Sequence, residues 1–149
     1  MQLNECINFV LTQAQNSTLS YFKNHLLKYD VTPAQYAILK CLSEQGEQSP
    51  SQLAQMLHLD NSTITGIVDR MVKKDLLQRI PDTYDRRVLT IRIAPLGMSL
   101  MPEIEQTIEI ANQKILSIFE NEEVESLMKS LDVIAKHVKT VDQEIDKES

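Results

Sequence analysis

The chain has 149 residues, 42 % apolar and 5 % aromatic with no tryptophan, which suits one domain, or one domain plus an assembly element, around an aliphatic core. No apolar run approaches the roughly 18–20 residues of a membrane span, and the first residues lack the basic-then-apolar order of a secretory leader, so the cytoplasm is the expected location. A net charge of −6 would disfavour a polyanionic partner if it were spread evenly, and two cysteines, Cys6 and Cys41, build neither a disulfide framework nor a metal-ligand cluster.

With only 3 glycines and 5 prolines, the chain reads as mainly α-helical with short connections. Leu3, Ile7, Val10, Leu11 and Ala14 recur at helical spacing, and Phe22 and Leu26 continue the trend, predicting one long helix over residues 3–28. Its N-terminal part carries more apolar residues than a small core uses, which suits packing on a partner chain. Thr32-Pro33-Ala34-Gln35 is a capping box with proline at the first helical position. It opens a second helix with Ile38, Leu39 and Leu42 as its stripe and Gly46 as its stop.

Ser49-Pro50-Ser51-Gln52 repeats that start signal for a short third helix with Leu53, Ala54, Met56 and Leu57. His58-Leu59-Asp60 is a tight turn, and Asp60 is the N-cap of a fourth helix. There Ile64, Ile67, Val68, Met71 and Val72 form the buried stripe, and Ser62, Gly66, Asp69 and Lys73 the opposite face, with Thr63 and Arg70 on one flank. Two short helices joined by a tight turn make a helix–turn–helix.

Leu76 to Ile80 reads as a strand, Pro81 to Arg86 as a turn and Arg87 to Ile93 as the returning strand, giving a small β-hairpin wing. Charge concentrates here. Residues 1–69 hold 3 Lys/Arg against 6 Asp/Glu, residues 70–92 hold 7 against 3, and residues 93–149 hold 5 against 12. A basic loop alone is more often merely solvated. Beside a helix–turn–helix it suits DNA, one element for the major groove and one for the neighbouring backbone or minor groove. Pro95 opens a fifth helix striped by Ile104, Ile108, Ala111, Ile115, Leu116 and Phe119, with Pro102 marking a kink or a late start. Asn121-Glu122-Glu123 opens a sixth, with Val124, Leu127, Leu131, Ile134 and Val138 as its apolar face and a charged tail from Asp142 expected to fray.

Four stretches carry a family resemblance: Thr32-Pro33-Ala34-Gln35-Tyr36, Ser51-Gln52-Leu53-Ala54, Ser62-Thr63-Ile64-Thr65-Gly66-Ile67-Val68-Asp69-Arg70-Met71, and Asp85-Arg86-Arg87 with Gly97 at the matching spacing. Over nearly its whole length the chain resembles the MarR family of winged helix–turn–helix regulators. The resemblance implies a homodimer held by intertwined first and last helices, mostly repressors, many released from DNA by a small aromatic acid, a drug or an oxidant. It divides residues 1–149 into a DNA-binding lobe over 32–94 and dimerisation helices over 1–31 and 95–149. The chain departs from the family at Ile93-Ala94, where Leu-Thr is usual, at Asp75, where glycine commonly ends the fourth helix, and at Gly66, where arginine is frequent. Aspartate tolerates the left-handed conformation that Asp75 would need.

The resemblance makes Arg87 the wing arginine, a rigid fork for phosphate or a cation for a narrow minor groove, with Asp85 as its positioner and Arg86 beside it. Ser62 and Thr63 face outward at the start of the fourth helix, where backbone N–H groups favour phosphate. Thr65 lies nearer the apolar stripe and suits contact or packing equally. Gly66 stands on the groove face, where the frequent arginine of the family would add a contact that glycine removes. Arg70, Lys73 and Arg79 are either phosphate contacts, which position rather than specify, or ordinary surface charges.

Effector pockets in the family lie between dimerisation helices and lobe, where Tyr21, His25, Tyr29 and Tyr36 could meet a small aromatic or phenolic compound; aromatic packing accounts for them as well. The family's peroxide-sensing branch keeps a reactive cysteine in its first helix, but Cys6 stands about two residues early and no cation is near in sequence to lower its pKa. The sequence therefore predicts a homodimeric repressor on a pseudo-palindromic double-stranded DNA operator, with no cofactor and no metal. The alternatives are a winged-helix protein-interaction module or a cysteine-based redox sensor. No nucleophile elbow, phosphate loop or metal-spaced cluster supports an enzyme.

Overall fold

The computed structural model describes residues 1–148, with side chains described through Gln143. Its elements are α1 (Ile7–Leu26), α2 (Pro33–Gln45), α3 (Pro50–Leu57), α4 (Asn61–Lys73), β1 (Leu77–Pro81), β2 (Leu89–Ile93), α5 (Pro95–Leu116) and α6 (Asn121–Glu148). The fold is mostly helical with a two-stranded antiparallel hairpin.

The predicted starts of α2, α3 and α4 hold. At α2 the Gln35 N–H donates to Thr32 Oγ1 and the Thr32 N–H to Gln35 Oε1, both at 3.1 Å. At α3 the Gln52 N–H donates to Ser49 Oγ at 3.1 Å and the Ser49 N–H to Gln52 Oε1 at 2.8 Å. These side chains satisfy donors that a helix leaves without partners. The ends of α3 and α4 are also alike. His58 and Asp75 adopt left-handed φ of 54° and 60°. The next N–H then reaches back, Leu59 to the Ala54 carbonyl and Leu76 to that of Met71, each at 3.0 Å. This is the Schellman pattern without glycine.

The first helix is shorter than its periodicity predicts. A 3-10 turn over Leu3–Glu5 comes first, and Cys6, extended at φ −78° and ψ 114°, caps α1. After Leu26 a second 3-10 turn, Leu27–Tyr29, ends at Asp30, whose φ is +53°. At α5 the helix starts at Pro95 and runs through Pro102, so Pro102 marks no late start. The cost is local: Pro102 has no N–H for the Met98 carbonyl. Ala94 has no side-chain oxygen to cap α5, and its N–H donates to the Leu76 carbonyl at 2.9 Å. The tail from Asp142 continues α6 as far as Glu148 instead of leaving the helix.

The wing strands are shifted from their predicted limits. Leu77 pairs with Ile93 and Pro81 with Leu89, so Leu76 stays outside β1, and Arg87 and Val88 belong to the tip. Gln48 adds a bridge to Ile91, exchanging N–H···O bonds of 3.2 and 2.7 Å, which ties the α2–α3 loop to the sheet. Leu26, Ile38, Leu39, Leu53, Ile64, Met71, Leu77, Ile91 and Ile104 are fully buried in one cluster spanning helices and wing. That aliphatic core holds α4 and the hairpin in one frame.

Two compact units divide the chain, residues 1–111 and residues from 112 onward. In the first, α1 leaves Ile7 and Val10 56 and 41 % exposed in its N-terminal part. In the second, the predicted stripe of α6 is equally open, with Leu127, Leu131 and Val138 at 37, 38 and 51 %. Among the described residues no helix is long and apolar enough to cross a membrane.

Candidate nucleic-acid interface

Asp60 organises the start of α4. Its Oδ1 accepts the Thr63 N–H at 2.7 Å and the Ser62 hydroxyl at 2.7 Å. Those bonds, the Thr63 N–H foremost, pull its carboxyl down to about 2. Thr65 Oγ1 donates to the Asn61 carbonyl at 2.8 Å. Ser62 and Thr65 therefore both direct their hydroxyl protons into the protein. Ser62, Thr63 and Thr65 all lie on the exposed face.

Gly66 shares that face, with nothing within 4 Å of where a Cβ would stand. Packing does not require glycine there. Gly66→Ala is expected to raise stability by about 0.5–1 kcal/mol, the usual gain of alanine over glycine inside a helix. Chemical denaturation measures it, and a loss would mean that a neighbour already fills the space.

The sequence missed the brace between α4 and the wing. Asp69 lies on the outward face of α4, and the Arg79 guanidinium of β1 pairs with its carboxylate. An acid on the outward face of α4 is thereby paired, and the wing root is linked to the helix. Arg70 and Lys73, in the last turn of α4, are exposed and form no ion pair among the described residues. The neighbouring Lys74 turns inward, donating to the Asp30 carbonyl at 2.7 Å and to Gln35 Oε1 at 3.3 Å.

The wing tip is built by two aspartates. Asp82 Oδ2 accepts the N–H groups of Tyr84 and Asp85 at 3.0 and 3.1 Å, closing the turn. Asp85 Oδ1 accepts both the N–H and the Nε of Arg87 at 3.1 Å, and Oδ2 accepts Nη2 at 3.2 Å. The Arg87 side chain, first of these, holds the Asp85 carboxyl below its usual range. The guanidinium is thus orientated while its side chain stays 91 % exposed. Arg86 is exposed beside it. Tyr84, which the sequence reading passed over, is 97 % exposed on the same tip. An aromatic residue inside a polar turn was the available signal.

The four candidate effector residues separate. The Tyr21 and His25 rings lie 4.3 Å apart, tilted by 52°, and His25 Nδ1 is bonded to the Tyr21 carbonyl at 2.8 Å. The Tyr29 hydroxyl donates to the Glu103 carbonyl at 3.2 Å and lies 2.8 Å from Thr107 Oγ1, joining the 3-10 turn after α1 to α5. Tyr36 alone lines a cleft of about 260 Å³, with Gln15, Thr18, Leu19, Phe22, Pro33 and Ile108. Burial, first, with Glu105 and Glu44, pushes the Tyr36 phenol up, and Lys40 opposes the shift. Cys6 sits half-buried at its cap, and burial pushes the half-buried Cys41 thiol up. Among the described residues no three His, Cys, Asp or Glu side chains could hold a metal ion.

Comparison with known proteins agrees with this geometry. The MarR family profile matches residues 31–89. The chain is 28 % identical over 130 residues to the HTH-type transcriptional regulator MhqR of Bacillus subtilis, covering 87 % of this chain and 90 % of that protein. It is 33 % identical over 106 residues to the uncharacterized HTH-type transcriptional regulator YsmB of the same organism, covering 71 % and 73 %. A probable transcriptional regulator from Pseudomonas aeruginosa superposes with a TM-score of 0.82 at 31 % identity, covering 89 % of this chain and 99 % of that one.

Proposed function

The chain belongs to the MarR family of transcriptional regulators, and from that premise we propose that it is a homodimeric repressor, released from a pseudo-palindromic operator by a small aromatic effector. The observation that carries the DNA reading is the brace. A helix with an outward hydroxyl face and a basic wing share one aliphatic core, and the Asp69–Arg79 pair spans them at the surface, so both meet a duplex in one frame. Ser62 and Thr65 donate inward and so offer acceptor lone pairs to base-edge amino groups. Thr63 and Gly66 allow close approach. Arg70 and Lys73 meet phosphates at one end of α4, and Arg86, Arg87 and Tyr84 meet the flanking backbone or minor groove. Arg79 acts chiefly by placing the wing.

The exposed stripes of α1 and α6 support the dimer, because apolar rows of that length mark an interface. Residues 1–31 and 95–149 supply it and residues 32–94 read DNA. Two-fold symmetry then places the half-sites about one helical turn apart, on the order of 34–36 Å. The cleft beside Tyr36 lies among α1, α2 and α5, where a ligand would favour one setting of the lobe over another.

A salt series on a duplex from the region upstream of the chain's own operon tests the proposal. Affinity should fall steeply between about 50 and 200 mM salt, as counterions are released from the contacted phosphates. Salt-independent binding, or no specific shift with any native promoter at low salt, would refute it.

A further inference from the structure

We infer that the cleft beside Tyr36 selects an uncharged single-ring aromatic compound over the matching aryl carboxylate; this rests on the reading of that cleft as the effector site. Every side chain lining it is neutral. Leu19, Phe22, Pro33 and Ile108 make apolar walls, and a volume of about 260 Å³ suits one substituted ring. The Thr18 hydroxyl is bonded back to the Ala14 and Gln15 carbonyls, both at 3.0 Å. The Gln15 amide and the Tyr36 hydroxyl are then the donors offered to a ligand, and the Thr18 oxygen can only accept.

A carboxylate entering such a cleft loses its hydration and needs a cation in return. Neither Lys40 nor His25 is placed to supply one. Lys40, one turn beyond Tyr36 on α2, lies 2.7 Å from Glu105 and 3.5 Å from Glu44, so two acids face one ammonium. His25 does not line the cleft, and its Nδ1 is bonded to the Tyr21 carbonyl. Tyr36 senses the same groups: burial, first, and the two acids favour its neutral form, and Lys40 opposes them. The neutral phenol can donate to a ring hydroxyl, an amide or a carbonyl, and can accept from the first two.

Calorimetry on the full chain at pH 7.5 with matched pairs decides the matter: benzoate against benzamide, salicylate against salicylamide, and 4-hydroxybenzoate against 4-hydroxybenzaldehyde. The uncharged member of each pair is expected to bind at least about tenfold tighter, and Leu19→Trp, which fills the cleft, to remove that binding. Equal or tighter binding of the acids overturns the inference. So does the absence of binding by every uncharged probe up to its solubility limit, or undiminished binding to Leu19→Trp. Operator release, followed by fluorescence anisotropy with the same compounds, separates the two readings. Release by the acids alone defeats this selectivity and leaves the effector reading standing; tight binding of an amide without release does the reverse.

Discussion

Replacing Arg87 with alanine is expected to weaken operator binding about ten- to a hundredfold while leaving the melting temperature and the oligomeric state unchanged. The asymmetry follows from where the side chain is. Arg87 is 91 % exposed and its bonds run to Asp85, two residues away in the same turn. Exposed ion pairs contribute little to stability, so their removal leaves the fold intact. At the DNA surface the same pair has a larger consequence. Asp85 grips the guanidinium through Nε and Nη2, which fixes its direction before any phosphate arrives, and less side-chain entropy is lost on binding. Arg87→Lys keeps the charge without the fork and should fall between wild type and alanine. Asp85→Ala keeps Arg87 and frees it to move, so its loss should be smaller than that of Arg87→Ala. The salt dependence should also flatten, by about one unit of slope for each lost phosphate contact. Unchanged affinity together with an unchanged slope would take the wing away from the DNA altogether.

What could be read in the sequence was what is local in the chain. The starts of α2, α3 and α4 lie within four residues of their own caps, so Thr32, Ser49 and Asp60 announced them correctly. Asp75 was legible for the same reason, since its left-handed turn depends on its own backbone. Charge clustering marked the wing, because residues of one loop stay together in any fold. What escaped depends on distant partners. The Gln48–Ile91 bridge and the Asp69–Arg79 brace have no periodicity to reveal them. Tyr29 looked like its three fellow aromatic candidates until α5 brought Glu103 and Thr107 to its hydroxyl. The break at Cys6 was hidden by an apolar rhythm that continues across it.

Gly97→Ala is expected to destabilise the fold by about 1–3 kcal/mol, the range for overpacking a filled core. Family spacing marked this glycine, and the structure supplies the reason. It lies in the first turn of α5, buried, and an added Cβ would stand 2.5 Å from the Leu76 carbonyl oxygen and 2.8 Å from Ile93 Cγ2. The carbonyl cannot easily give way, because it accepts the Ala94 N–H at 2.9 Å on the segment that leads into the same helix. Leu76 is itself 2 % exposed, packed into the core. Alanine normally favours a helix over glycine by about 1 kcal/mol, so the clash must outweigh that gain for the prediction to hold. Gly66→Ala is the internal control: the same exchange, also inside a helix, with open space around the new methyl. The two variants should therefore move in opposite directions in one urea titration. For a chain of this size each kcal/mol corresponds to roughly 2–4 °C in melting temperature. Leu76 and Ile93 flank the hairpin at its root, so the displaced helix would also tilt the wing. Operator affinity should then fall in Gly97→Ala even at temperatures where the protein stays folded. A variant as stable as wild type would show that α5 can slide past Leu76, and that the wing root is not held by this contact.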